Sequence, residues 1–203
     1  MRKLIFVPLF VVASLFAYSQ LGIKAGLNFA NVRDASSINS SSRSGFNVGL
    51  FLGGSNKGLI ASRTELLFSR QGYDYKSASN TGTVNLDYIM MPQMMGINIS
   101  KYLMLQAGIQ MAYLISASVD STSNGNTGNS PYDKIMDYYN RFDYGFGFGV
   151  EVHPYKGLLI GAKYNIGVGK LYKDAQSGQM PSFSSIDAKN NLVQLFVGWK
   201  FGK

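Results

Sequence analysis

Residues 142–152 read FDYGFGFGVEV, and this stretch decides the fold. Large apolar side chains occupy its even positions, while Asp, Gly or Glu occupies the odd positions. A period of two is typical of a β-strand with two different faces, and no helical period produces it. The stretch therefore predicts a long strand with one apolar face and one glycine-rich face.

Seven more segments extend this pattern along the chain. Clear alternation recurs at 21–29, 45–53, 160–169 and 193–201, and a blurred form of it at 59–76 and 83–98. Residues 102–119 contain no charge, and Gln106 and Gln110 lie four apart, so a spanning helix is an alternative there. The apolar residues from 105 to 115 nevertheless fall on odd positions, which favours a strand. The chain is therefore predicted to form eight strands.

The connections between these strands alternate in length. Short turns are expected at 55–58, 100–101 and 154–157, and longer connections at 31–43, 120–136 and 174–189. The connection at 77–82 is short, but long strands flank it, so this hairpin should protrude. Alternation of short and long connections is what an antiparallel membrane barrel gives, with its short turns toward the periplasm.

The two strand faces decide between a membrane barrel and a soluble one. In a secreted, lipocalin-like barrel the apolar face encloses a ligand and the other face meets water. Here the second face carries mostly glycine with a few charges of both signs, which suits a narrow lumen crossed by long side chains. We therefore expect an all-β protein, a closed eight-stranded antiparallel transmembrane β-barrel with its apolar face toward lipid.

The first residues have the pattern of a secretory signal peptide. A positive start and an uncharged, mostly apolar run at 4–16 precede small residues at 17 and 19. The run is shorter than the roughly 20 residues that a spanning helix needs, which argues against a membrane anchor. The expected domains are a signal peptide at 1–19 and an outer-membrane barrel at 20–203.

Composition removes several classes of site. The chain of 203 residues has no cysteine and a single histidine, His153. Disulfides, thiolate metal centres, a cysteine nucleophile and multi-histidine metal sites are therefore excluded. No Gly-x-Ser-x-Gly elbow or phosphate loop occurs, and the GFGFG run at 145–149 lies mid-strand with no helix after it. We expect no catalytic, cofactor or metal site, and we assign His153 to the periplasmic rim as an interfacial or capping residue.

The net charge of +8 raises the question of nucleic acid. Only 15% of the residues are charged, acids are interleaved with bases, and no dense Lys/Arg cluster occurs. An exported chain also rarely meets nucleic acid, so no nucleic-acid partner is expected.

Alternation places a set of charged residues on the inward face. They are Lys24, Arg63, Arg141, Lys163 and Lys200, together with Glu65, Asp87, Asp143 and Glu151. An isolated buried charge is very costly, so these groups should pair in a narrow lumen. We predict a structural network of salt bridges that fills the barrel, with bulk added by Phe51 and Phe196. A proton or ion relay through the same groups is the alternative, and no spacing favours it.

Four short motifs give the chain a family resemblance. They are GIKAGLN at 22–28, ELLFS at 65–69, LDYIMMP at 86–92 and the final strand at 194–201. In this order, after a signal peptide, they resemble the small OmpA- and OmpX-like outer-membrane barrels of Bacteroidota, the family typified by PorT. The resemblance implies a bacterial outer-membrane location with both termini in the periplasm, and it brings no shared catalytic residues. Gly198, Trp199 and the terminal aromatic Phe201 resemble the signal read by barrel-assembly machinery, although Gly202 and Lys203 follow.

These expectations define a non-catalytic outer-membrane protein with a structural or interaction role. Its partners would be outer-membrane lipid, the assembly machinery, and an envelope protein that contacts the loops at 120–136 and 174–189. A small passive channel, or a transport- or secretion-associated barrel, is one alternative. An outer-membrane enzyme without a histidine site is the other.

Overall fold

The computed structural model describes residues 21–33, 39–54, 58–76, 80–123, 126–129, 136, 139–173 and 188–201. The strands within these ranges are β1 (Leu21–Arg33), β2 (Asn39–Gly53), β3 (Ile60–Lys76), β4 (Asn80–Asn98), β5 (Leu103–Ser123), β6 (Asn126–Asn129), β7 (Phe142–Tyr155), β8 (Leu158–Gly167) and β9 (Lys189–Lys200). No helix in this part of the chain is long and apolar enough to cross a membrane. The signal peptide assigned to 1–19 and most of the predicted loop at 174–189 lie outside the described residues.

Eight long strands close into an antiparallel barrel. β1 pairs with β2 on one side and with β9 on the other, and the ring continues through β3, β4, β5, β7 and β8. Closure gives each of these strands a partner on both sides, which is how a wall in contact with lipid satisfies its backbone groups. The predicted eight-stranded antiparallel barrel is confirmed, and the uncharged segment at 102–119 lies, from Leu103 onward, in strand β5 rather than in a helix.

The short strand β6 lies outside the ring. β5 pairs with β7 only as far as Tyr113, and beyond that point it runs on to Ser123. Over this extension it stays paired with β4, and β6 pairs with its other edge from Asp120 to Ser123. The sheet formed by β2 to β6 therefore rises above β7, β8 and β9, and we call this part the raised sheet. The predicted loop at 120–136 is wrong in part, because its Ser-, Asn- and Gly-rich residues up to 129 include paired strand.

The two ends of the barrel differ. At one end, the turn rim, Leu21 and Phe201 lie together, and the backbone N–H of Phe201 donates to the carbonyl of Leu21 at 2.7 Å. The turns β2–β3, β4–β5 and β7–β8 lie at the same end, since antiparallel strands alternate in direction. The other end, the loop rim, carries the raised sheet and the remaining connections.

The wall presents apolar side chains outward and a mixed set of side chains inward. Large outward residues are about half exposed, as with Phe146 at 53% and Leu27 at 55%. Such an exposed apolar surface, running around the whole barrel, suits hydrocarbon rather than water. The inward face is buried, and it holds charged residues from five strands, β1, β3, β7, β8 and β9.

β4 is the strand whose faces the sequence does not reveal. Residues 89–91 are all apolar although they point alternately to the two faces, so the sequence does not distinguish inside from outside. The pairing of β4 with β5 also shifts register between Asp87 and Tyr88. The structure has the even-numbered residues inside, so that Tyr88 is buried and Asp87 points outward.

Candidate functional site: the barrel lumen

Charged side chains on the turn-rim side of the lumen form a closed set of ion pairs, the ion-pair layer. The carboxylate of Glu65 accepts hydrogen bonds from Nζ of Lys24 at 2.9 Å and from Nζ of Lys163 at 3.0 Å. All three side chains are fully buried. They come from β3, β1 and β8, so these bonds connect separate parts of the wall across the lumen.

A second carboxylate completes this layer. Arg63 donates two hydrogen bonds to Glu151, one of them 2.7 Å from Nη2 to Oε1. Nε2 of Gln106 donates to the same carboxylate at 3.2 Å. Nε2 of His153 lies 3.0 Å from Oε1 of Glu151, close enough for an ion pair but without the orientation of a hydrogen bond. Both carboxylates of the layer therefore face more than one donor, which is what keeps a buried charge tolerable.

Aromatic rings pack against the cations of the ion-pair layer. Nζ of Lys24 lies 3.7 Å from the centre of the Phe196 ring, and the guanidinium carbon of Arg63 lies 4.7 Å from the centre of the Phe51 ring. Such contacts stabilise a cation that has lost its water. Gly54 makes room for the guanidinium, because a Cβ there would lie 2.3 Å from Nη2 of Arg63, and its φ of +78° favours glycine.

Uncharged polar side chains fill the middle of the lumen and form the amide layer. Nδ2 of Asn28 donates to Oγ of Ser69 at 2.9 Å, and Oδ1 of Asn28 accepts from Asn47 at 2.7 Å and from Gln194 at 3.1 Å. The amide oxygen of Gln194 in turn accepts from Asn165 at 3.1 Å. These bonds join β1, β2, β3, β8 and β9 into one network of buried amides.

Tyrosines and apolar side chains close the lumen toward the loop rim and form the tyrosine layer. The hydroxyl of Tyr139 lies 3.3 Å from that of Tyr73 and 3.4 Å from that of Tyr172, and Tyr73 also bonds to Tyr172. None of the three is more than 1% exposed. Burial raises the pKa of Tyr172 to about 12, so its hydroxyl is protonated at neutral pH. The apolar residues around them include Val32, Leu67, Val84, Leu86, Leu114, Leu171 and Leu192.

Two other predicted lumen charges lie at opposite ends of the interior. Nζ of Lys200 donates to the carbonyl of Gly54 at 3.3 Å near the turn rim. Asp143 is buried near the loop rim, and its Oδ1 has no hydrogen-bond partner among the described residues. The charges predicted for the lumen therefore do not form a single network.

The prediction is wrong for Asp87 and Arg141. Asp87 points outward and accepts two hydrogen bonds from Arg70, at 2.7 and 2.9 Å, because the inward positions of β4 are the even ones. Arg141 is exposed, because it precedes the first residue of β7 and lies beyond the wall that encloses the lumen.

Sequence reasoning missed His153 as a lumen residue and missed the tyrosine layer. His153 lies near the turn rim, but it is only 7% exposed and points inward rather than toward an interface. His153 lies two residues after Glu151 in the same strand, so it falls on the same, inward face. Tyr73 likewise lies an even number of residues after Arg63. Alternation followed further along each strand would therefore have placed both side chains in the lumen. The other two tyrosines lie outside the long strands, where no periodicity marks them.

The residues assigned to an assembly signal lie at the end of β9. Trp199 and Phe201 face outward and are 42% and 47% exposed. Gly198 faces inward, where a Cβ would come 2.7 Å from Cδ1 of Leu159. Their role in assembly stays a prediction.

The three layers fill the interior with side chains that bond to one another across the barrel. Within the described ranges, no group of three or more His, Asp or Glu side chains is placed to hold a metal ion. A closed antiparallel wall, an apolar exterior and a polar interior together define a small barrel of the outer-membrane class.

The chain belongs to the family of the outer membrane protein beta-barrel domain, whose family model matches residues 12–173. Membership points to the bacterial outer membrane as its location. A search of the curated proteins found no match to the chain.

Several solved structures are similar to the barrel. Neisserial surface protein A is 11% identical, with 89% of this chain and 97% of that chain covered and a TM-score of 0.52. Ail, the attachment invasion locus protein of Yersinia pestis, is 17% identical, with coverages of 90% and 99% and a TM-score of 0.48. OprG from Pseudomonas aeruginosa is 9% identical, with coverages of 91% and 97% and a TM-score of 0.48. At such low identity the likeness to the Neisserial protein concerns the fold alone.

Proposed function

We propose that this protein is a non-catalytic outer-membrane barrel with a closed lumen, whose role is structural or is to bind a partner at the loop rim. The observation that supports a closed lumen is its filling in three successive layers, in which side chains bond across the interior. Eight strands enclose a space about as wide as side chains can fill, whereas open channels are typical of much larger barrels.

A second observation favours display of a surface at the loop rim. β5 runs ten residues beyond its last pairing with β7, from Leu114 to Ser123, and it carries β4 and β6 with it. The raised sheet stands above the apolar exterior on one side of the barrel only. The raised sheet is longer than a strand needs to be to cross the membrane, so its extra length is available to contact an envelope protein.

Conductance in a planar bilayer tests the closed lumen. We expect no steady open pore from the purified full barrel. The double variant Arg63→Ala, Lys163→Ala removes cations from both buried carboxylates and should admit water and ions. Its matched control is Arg70→Ala, Lys101→Ala, which removes the same charge from exposed positions. A large, steady single-channel conductance from the unmodified protein would instead favour the passive channel.

Export and orientation belong to the same proposal. The pattern of residues 1–19 supports a cleaved signal peptide, and the meeting of Leu21 and Phe201 at the rim of short turns supports two periplasmic termini. N-terminal sequencing of the protein from outer membranes should begin at Gln20. A mature protein that still begins at Met1 would contradict export.

The partners and the narrower family placement are also proposals. The motifs at 22–28 and 86–92 support a PorT-type barrel of Bacteroidota, and the strand at 194–201 supports insertion into outer-membrane lipid by barrel-assembly machinery. A pull-down from native outer membranes tests for an envelope partner. The partner should be lost when 121–129 is replaced by a two-residue turn, and recovery of it by the shortened barrel would contradict binding through the raised sheet. Product formation from lipid or peptide substrates would favour the enzyme alternative.

A further inference from the structure

We propose that the outward face of β3 and β4 binds a second copy of this chain within the membrane, through the side-chain amide of Gln93. This residue is exposed on the outer wall, where Thr64 of β3 lies opposite it on one side and Ile109 of β5 on the other. The inference concerns the outer wall and is independent of whether the lumen is closed.

Gln93 lies at mid-depth of the apolar exterior. The outward positions next to it on β4 are Met91 and Met95, which are 48% and 64% exposed. Ile89 and Ile97 occupy the next outward positions in either direction along the strand. Because apolar residues extend equally far above and below it, the amide faces hydrocarbon rather than the headgroup region.

Lipid cannot satisfy this amide. Nε2 of Gln93 donates to Oγ1 of Thr64 on the neighbouring strand at 2.5 Å. Neither the second N–H nor the carbonyl oxygen has a partner among the described residues. Polar groups without hydrogen bonds are costly in hydrocarbon, so a partner that offers both a donor and an acceptor is favoured.

A separate observation falls at the same place in the wall. The pairing of β3 with β4 is continuous toward both ends but is interrupted between Thr64 and Leu67, opposite Pro92. Proline has no N–H, so it removes a hydrogen bond from the ladder. The wall therefore has a weak seam beside the exposed amide, and a protein surface packed over it would shield the seam from lipid.

A second copy fits this face better than an unrelated protein. An amide is both donor and acceptor, so two Gln93 side chains related by a two-fold axis satisfy each other with two hydrogen bonds. The two-fold also places both amides at the same depth. Ser62 and Ala107 are short outward residues near the amide, which lets two walls approach closely, and the flexible methionines can adapt to the contact.

Disulfide cross-linking tests this interface, since the chain has no cysteine of its own. Met95→Cys in the full barrel, in outer membranes or in vesicles, should form a cross-linked dimer under mild oxidation. Val197→Cys is the matched control, because Val197 lies at the centre of the outward apolar residues of β9, on the opposite wall. It should stay largely monomeric.

A second substitution tests whether cross-linking depends on the Gln93 amide or only on chance encounters between neighbouring barrels. Gln93→Leu added to Met95→Cys should lower the association constant about fivefold, because hydrogen bonds within membranes are individually modest. The change suits a lipid-facing position, so the barrel should still fold. Equal dimer yields at positions 95 and 197, no effect of Gln93→Leu, or an adduct whose mass is not twice that of the chain would each overturn the proposal.

Discussion

The two ends of the lumen are closed by different chemistry. In the ion-pair layer, two carboxylates and three strongly basic side chains hold one another in place, and regular strands carry all of them. In the tyrosine layer, neutral hydroxyls and apolar side chains fill the space, and two of the three tyrosines come from outside the long strands. The first closure depends on charge balance, whereas the second depends on packing.

This difference governs how each end responds to damage. Removing one member of a buried ion pair leaves a charge without compensation, although replacing the whole set with apolar residues is often harmless. Removing one hydroxyl from the tyrosine layer leaves only neutral groups. We therefore expect single substitutions in the ion-pair layer to be far more costly than those in the tyrosine layer.

Glu65→Ala should have the largest effect. It leaves Lys24 and Lys163 buried without a counter-charge and should lower the free energy of unfolding by about 3–5 kcal/mol. Urea unfolding of the barrel in detergent micelles or vesicles measures this change. The control adds Lys24→Met and Lys163→Met to the same variant, which should recover much of the loss. A single-variant loss below about 1 kcal/mol would mean that this layer does not depend on charge balance.

Phe146→Arg and Gly147→Ala compare the outward and inward faces of the wall at adjacent positions of β7. Phe146 is exposed on the apolar face, where an arginine costs roughly 2–4 kcal/mol at mid-depth. Gly147→Ala should be milder, because its Cβ would come 2.8 Å from Oδ1 of Asn165 and 3.4 Å from Cε of Met94, and both atoms belong to side chains rather than to the backbone. Unfolding experiments on the two variants measure the order of the effects. The reverse order would contradict the assignment of the two faces.

The assignment of residues to the two faces shows which parts of the barrel can be predicted from the sequence. The faces of β7 and β8 are predictable because large apolar residues alternate with glycine and charges, and the buried Glu151 and Lys163 follow from their positions. The faces of β4 are not predictable in this way. Ile89 and the next two residues are all apolar, so neighbouring positions on opposite faces look alike, and a proline interrupts the pairing of β4 with β3. The misplacement of Asp87 follows directly from that ambiguity.

Residues at strand ends and in connections are harder still to place. Parity assigns Arg141 to the lumen, but the strand begins one residue later, and enclosure ends where the strand does. Tyr139, just before β7, and Tyr172, just after β8, meet through an isolated bridge, and such a long-range contact leaves no periodic trace in the sequence. The interior of the strands is therefore predictable, and the closure at the loop rim is not.

Tyr73→Phe should have a smaller effect than the changes in the ion-pair layer. It removes one hydroxyl from the tyrosine layer, but Tyr139 and Tyr172 still bond to each other at 3.4 Å. The expected loss is about 0.5–1.5 kcal/mol in the free energy of unfolding, the usual contribution of one hydrogen bond. Tyr113→Phe, at an outward and exposed position, is the control and should change little. A loss as large as that of Glu65→Ala would remove the distinction between the two closures.

Asp87→Asn should have the smallest effect, and it extends the comparison to an ion pair outside the barrel. The contact of Asp87 with Arg70 is bidentate, at 2.7 and 2.9 Å, but the Arg70 side chain is 47% exposed. Exposed pairs are screened by water and salt, so we expect a loss of no more than about 1 kcal/mol, and less at about 0.5 M salt.

The same unfolding measurement, at low and high salt, separates the two possible positions of Asp87. If this carboxylate lined the lumen, as we predicted from the sequence, its neutralisation would leave a buried cation unpaired and would cost as much as the loss of Glu65. Salt would also have little effect on a pair that is shielded from solvent. A salt-independent loss of about 3 kcal/mol would therefore return Asp87 to the interior, whereas a small, salt-sensitive loss fits its place on the outer wall.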